Sequence, residues 1–151
     1  DGAVTFEDIT KEINRGLDEF FPSEDIEIIA EPGRYFVCSS HTLVTNIIGK
    51  KKIGDKFIYY LNDGIYGSFN CVYFDHAKPL IMPYNERDGK LYESTVFGPT
   101  CDSIDIISEN CQLPDLAIGE WVYVENFGAY TIAAASTFNG FQQTRCVYCF
   151  V

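Results

Sequence analysis

The stretch Ile26-Glu27-Ile28-Ile29-Ala30-Glu31-Pro32-Gly33-Arg34-Tyr35 separates two kinds of sequence. Upstream of it the pattern is helical. Phe6, Ile9, Ile13, Leu17 and Phe20 recur at the three- and four-residue spacing of one helix face until Pro22 stops the run. Thr5 followed three residues later by Asp8 has the form of a capping box, with Asp8 in the role usually filled by Glu. Residues 26–30 are short and nearly all apolar, as expected of a strand buried on both faces. A helix followed by a buried strand is what the last turn of a βα barrel contributes. Glu31 then falls just past the strand's C-terminal end, the face where such barrels carry their sites.

Downstream of Tyr35 the helical signals nearly vanish. Residues 36–48, 57–61, 71–74, 91–96, 121–125 and 146–151 read as strands, joined by segments rich in Gly, Pro and Asn that suit antiparallel turns. Residues 49–56 read as a mobile basic loop and 83–90 as a second exposed connection. Residues 103–110 read as one short helix. The expected architecture is mainly β: the end of a barrel over residues 1–35, then an antiparallel, barrel-like β-domain over residues 36–151.

Composition narrows the functional class. The chain has 151 residues, 46% hydrophobic and 22% charged, enough for a real core and typical of a soluble globular protein. A formal net charge of −11 argues against nucleic acid, which needs a basic surface. No apolar run approaches the length that spans a bilayer, and the N-terminal residues carry no signal-peptide pattern. The six cysteines are therefore expected to be reduced thiols in a cytoplasmic protein rather than a disulfide framework. Cys146-x-x-Cys149 has half the form of a zinc site, but on the expected strand its two sulfurs point to opposite faces. His41 and His76 are isolated, so no metal is expected.

The motif with most chemical content is Gly98-Pro99-Thr100-Cys101-Asp102. Gly-Pro breaks regular structure and lifts the following residues out of any sheet. A cysteine beside a carboxylate reads as a proton donor more readily than as a nucleophile. With it stand Glu31-Pro32-Gly33-Arg34-Tyr35, Tyr59-Tyr60-Leu61-Asn62-Asp63-Gly64-Ile65-Tyr66-Gly67-Ser68-Phe69-Asn70 and Phe74-Asp75-His76-Ala77. Glu125-Asn126-Phe127-Gly128-Ala129-Tyr130 and Ala134-Ala135-Ser136-Thr137-Phe138-Asn139-Gly140-Phe141 complete the set. In this order, along essentially the whole chain, they resemble the C-terminal part of the eukaryotic ornithine decarboxylases. Those are pyridoxal 5'-phosphate enzymes of the alanine-racemase-like fold group.

The resemblance implies a role for each matching residue. Glu31 is the acid beside the cofactor's ring nitrogen; Pro32, Gly33, Arg34 and Tyr130 belong to the cofactor site, with Gly33, Arg34 and Tyr130 around the phosphate. Asp75 and Asp102 hold the distal ammonium of L-ornithine, and Phe74 stands where a tyrosine is expected, leaving only its ring to pack on the substrate. Cys101 is the catalytic acid that returns a proton to Cα after carbon dioxide leaves. Tyr66 and Phe138 line the pocket, whereas Trp121 and Tyr123 read as core.

The implied activity is conversion of L-ornithine to putrescine and carbon dioxide in polyamine biosynthesis. The Schiff-base lysine belongs to the N-terminal barrel, and Lys11, Lys50, Lys51, Lys52, Lys56, Lys78 and Lys90 all fall outside any matching motif. The segment alone is therefore expected to be inactive. The implied assembly is a homodimer with shared active sites, in which Cys101 and Asp102 serve the neighbour's cofactor. An antizyme-type regulator is a possible partner. The alternative is a catalytically dead, antizyme-inhibitor-like binding protein, against which stands the presence of Glu31, Arg34, Asp75, Cys101, Asp102 and Tyr130.

Overall fold

The capping box forms as the sequence requires. In the computed structural model, which describes residues 4–149, α1 spans Phe6–Phe20. The Asp8 N–H donates to Thr5 Oγ1 at 3.2 Å, and the Thr5 N–H donates to Asp8 Oδ2 at 3.2 Å. The chain divides into two compact units, Asp1–Glu31 and Pro32–Val151. Within the first, no residue of α1 is buried, and the face carrying Phe6, Ile9, Ile13 and Phe20 is open. The expected strand at residues 26–30 joins no sheet: among the described residues no neighbouring strand supplies its hydrogen bonds, and Ile29 is 75% exposed. Apolar content alone cannot make a strand without a partner to bond it.

The second unit is a curled six-stranded sheet in the order β3-β6-β1-β2-β4-β5. Its strands are β1 (Leu43–Ile53), β2 (Lys56–Leu61), β3 (Met82–Pro83), β4 (Tyr92–Phe97), β5 (Ile106–Leu113) and β6 (Trp121–Val124). All neighbours are antiparallel except β2 and β4, which run parallel. β1 organises the curl. Its first half pairs with β6 and its second half with β2, and the register shifts between Ile47 and Gly49. Where the sheet opens, Asn62 Oδ1 accepts the Asn46 N–H at 2.9 Å, and Asn46 Nδ2 donates to the Gly119 carbonyl at 2.8 Å. The side-chain amides thus satisfy backbone groups that the ladder leaves.

Alternation along the strands builds the core. Leu43, Thr45 and Ile47 of β1, Phe57, Tyr59 and Leu61 of β2, and Val122 and Val124 of β6 all point inward. Tyr59 is 1% exposed, yet its hydroxyl donates to the Pro114 carbonyl at 3.0 Å and accepts the Leu116 N–H at 3.1 Å. Burial raises its pKa. Phe69 and Phe127 meet edge to face beneath the loops, with ring centroids 5.2 Å apart.

Several expected elements differ. Residues 34–40 are two short turns, α2 (Arg34–Val37) and a 3₁₀ turn (Cys38–Ser40), so the strand begins at Leu43 rather than at 36. Residues 71–74 lie in a short helix, α3 (Asn70–Phe74), with Phe69 and Cys71 inward and Tyr73 and Phe74 outward. Residues 49–56 are a hairpin arm. Gly54 takes the turn at φ 60°, and Lys50 and Lys52 lie over the Phe57 ring. Residues 103–110 contain no helix; Ile106 onward pairs with β4. Trp121 is 49% exposed and does not belong to the core. Residues 146–149 are exposed and outside any strand, so the opposite-face argument for Cys146 and Cys149 does not apply; Phe150 and Val151 lie outside the described residues. Among the described residues no helix is long and apolar enough to cross a membrane.

Candidate functional site

Two clusters collect most of the residues that the sequence singles out. The first forms where the loop after β6 packs on α2 and the turn that follows it. The Gly128 N–H donates to the Cys38 carbonyl at 2.8 Å, and the Phe127 N–H donates to the His41 carbonyl at 2.9 Å. A Cβ on Gly128 would collide with the Val37 carbonyl, so only glycine permits this approach. The loop ends at Tyr130, a non-glycine residue held at φ 58°. Its hydroxyl lies so near Gly33 that a Cβ there would stand 2.5 Å from it. The Arg34 guanidinium sits 5.1 Å from the Tyr130 ring centroid and forms an ion pair with Asp75.

This cluster fits a phosphate. A guanidinium, a phenolic hydroxyl and a glycine backbone converge, with the Tyr130 hydroxyl in the space that a side chain at position 33 would need. The sequence assigns Arg34 and Asp75 to different ligands, and their ion pair is not foreseen by it. A pocket of about 160 Å³ opens alongside, lined by Arg34, Cys71, Lys78, Glu125, Phe127 and Ala129 among others. Phe74 faces out and is 68% exposed. Glu31 and Pro32 are exposed, with Glu31 the last residue of the first unit.

The second cluster surrounds Cys101. Tyr66 Oη donates to Asp102 Oδ2 at 2.5 Å, and the Tyr66 ring stacks on Phe138 with centroids 4.3 Å apart. The bond to Asp102 pushes the Tyr66 phenol up to about 12, and the same bond lowers Asp102 below the usual carboxylate range. The signs agree. The Asp102 contribution is lost only as pH falls through its lowered value, and the Tyr66 contribution only as pH rises toward about 12. The bond therefore holds across the neutral range. Cys101 is exposed, and its Sγ accepts a hydrogen bond from Asn139 Nδ2 at 3.3 Å. No hydrogen bond, ion pair or ring contact found among the described residues joins this cluster to the one around Arg34.

Two buried carboxylates that the sequence reading passes over hold the second cluster in place. Asp105 is 0% exposed. It accepts the Ile65 N–H at 2.9 Å, the Thr100 N–H at 3.0 Å and the Thr100 hydroxyl at 2.7 Å. Gly64 and Gly98 press so closely on this carboxylate that neither admits a Cβ. Asp63 accepts the N–H groups of Gly64 and Ser68, each at 2.8 Å, and the Thr144 hydroxyl at 2.6 Å. The available signal for Asp105 is its setting, Ile104-Asp105-Ile106-Ile107, since a lone acid among isoleucines reads as a buried, hydrogen-bonded one. Asp105→Ala in the full-length protein is expected to lower stability by roughly 3 kcal/mol, because buried donors lose a charged acceptor. Urea unfolding measures this, and an unchanged midpoint would contradict the clamp.

Comparison with known proteins places the chain. Residues 23–128 match the family model described as the pyridoxal-dependent decarboxylase C-terminal sheet domain, and residues 1–38 match the pyridoxal binding domain of the same family. An ornithine decarboxylase of Cricetulus griseus is 49% identical over 162 residues, covering 98% of this chain and 36% of that relative. Antizyme inhibitor 2 of Xenopus laevis is 48% identical over 163 residues, with the same two coverages of 98% and 36%. The chain thus spans little more than a third of the length of these relatives. The crystal structure of Paramecium bursaria Chlorella virus arginine decarboxylase bound to agmatine superposes with a TM-score of 0.85 at 36% identity, over 90% of this chain and 38% of that one. Sheet, family model and relatives agree: the chain belongs to the pyridoxal-dependent decarboxylases and matches the C-terminal portion of the eukaryotic ornithine decarboxylases.

Proposed function

We propose that this segment supplies the C-terminal portion of an L-ornithine decarboxylase forming putrescine and carbon dioxide. The observation that carries the reading is the convergence of Gly33, Arg34, Asp75 and Tyr130 in one cluster. When bound, pyridoxal phosphate supplies the electron sink that makes loss of carbon dioxide from an amino acid feasible. Arg34 and Tyr130 hold its phosphate, and Glu31 serves its ring nitrogen. Asp75 and Asp102 offer carboxylates to the distal ammonium, and Cys101 delivers a proton to the substrate's Cα. The short aspartates leave room for a chain of ornithine's length.

The proposed reaction centre is shared across a dimer. Arg34, Tyr130 and Asp75 serve one site, while Cys101, Asp102 and Tyr66 reach the partner's, as a two-fold axis does reciprocally. The second reading, a regulatory binding protein without turnover, draws support from the relative named antizyme inhibitor. Release of carbon dioxide from carboxyl-labelled ornithine decides between them. The full-length protein with added pyridoxal phosphate is expected to release it in step with putrescine, and the 151-residue chain alone to release none. Cofactor binding without release would favour the regulatory reading. Turnover by the isolated chain would overturn the assignment of the lysine to the missing barrel.

A further inference from the structure

Asn139 combines two properties found in few residues. Its backbone is left-handed, at φ 55° and ψ 17°, inside the turn Phe138–Gly140. Its side-chain nitrogen donates to Cys101 Sγ at 3.3 Å. Asparagine tolerates this backbone better than other side chains that carry an amide donor. Glycine fits the backbone and lacks the donor; aspartate fits it and brings an acceptor; glutamine keeps the donor and loses the backbone preference.

The turn carrying Asn139 is itself fixed. The Ser136 N–H donates to the Tyr66 carbonyl at 2.8 Å, and the Phe138 N–H donates to Ser136 Oγ at 3.3 Å. The Phe138 ring then stacks on Tyr66, and the Tyr66 hydroxyl bonds Asp102, the neighbour of Cys101. A closed circuit results: Cys101, Asn139, Phe138, Tyr66, Asp102 and back to Cys101 along the chain. Tyr66 holds the loop on one side of the thiol, and Asn139 holds the sulfur itself.

We infer that Asn139 is a positioning residue that aims the Cys101 sulfur, so that its proton reaches the substrate's Cα and not another carbon. The inference rests on the proton-donor role given to Cys101 above. It follows that Asn139 acts on product partition through Cys101 alone, with no direct part in binding ornithine or cofactor.

The test is a double-mutant cycle in the full-length protein with pyridoxal phosphate. Asn139→Gly keeps the left-handed backbone, so its effect reports the lost amide. It is expected to raise the aldehyde share of product about fivefold, the worth of an ordinary hydrogen bond, while KM for ornithine stays within about twofold. Asn139→Asp is expected to behave alike. In the Cys101→Ala background, Asn139→Gly should change nothing further. A second readout needs no turnover: the rate at which iodoacetamide alkylates Cys101 in cofactor-free protein should change about fivefold in Asn139→Gly. Unchanged partition and alkylation in Asn139→Gly, with a clear effect of Cys101→Ala, would overturn the inference and spare the decarboxylase reading. A further loss in the Cys101→Ala background would make Asn139 structural. No effect of Cys101→Ala itself would sink both.

Discussion

Cys101→Ala in the full-length protein is expected to slow putrescine formation by about 10²-fold, the lower end of what a positioned general acid contributes. Product partition should move with the rate. Carbon dioxide release should persist at a larger fraction of its original rate than putrescine, because in the proposed mechanism the thiol acts after the carboxylate has left. Aldehyde and pyridoxamine phosphate should accumulate as protons reach carbon atoms other than Cα. The geometry makes this a clean test. Cys101 is exposed, and the donors that hold Asp105 are Ile65 and Thr100 rather than Cys101, so truncating it leaves the buried clamp intact. Quantifying both products at several times measures the partition. A slower reaction with unchanged partition would mean that Cys101 serves packing or substrate placement instead.

How far the sequence could be read depended on what fixes each element. α1 was legible because its cap and its apolar spacing are local, and both formed as written. β2, β4 and β6 were legible within a residue or so, since alternating burial marks half-buried strands. The failures share a cause. The run Cys71-Val72-Tyr73-Phe74 is too short for periodicity to separate strand from helical turn, and the preceding Gly64 and Gly67 bend the chain into the turn. Ile106 and Ile107 looked helical beside polar residues until β4 offered them a ladder. The lysine-rich arm looked mobile because its support comes from aromatics on β2 and β4, out of reach of local reading. Residues 26–30 erred the other way, since among the described residues no strand lies beside them to bond their backbone.

The same distinction applies to the site. Motif matching reached Gly33, Arg34, Asp75, Cys101, Asp102 and Tyr130, each of which lies in one of the two clusters. It gave no hint that Arg34 pairs with Asp75, which joins residues 41 apart. Nor did it reveal that Asp63 and Asp105 hold the loops from beneath, because a buried acid and a turn acid look the same in sequence until their donors are known.

Subunit complementation tests the central claim, that two clusters of this chain complete one reaction centre across a dimer. One full-length variant carries Cys101→Ala and the other Arg34→Ala; thermal unfolding verifies that both are folded. Each alone is expected to form almost no putrescine. Mixed and allowed to exchange, about half the dimers hold one copy of each, and in these one of the two sites has both clusters intact. Putrescine formation from ornithine should then rise to roughly a quarter of the unaltered protein's rate. No recovery, with exchange demonstrated by tagged subunits, would mean that both clusters serve a site within one chain and would contradict the account.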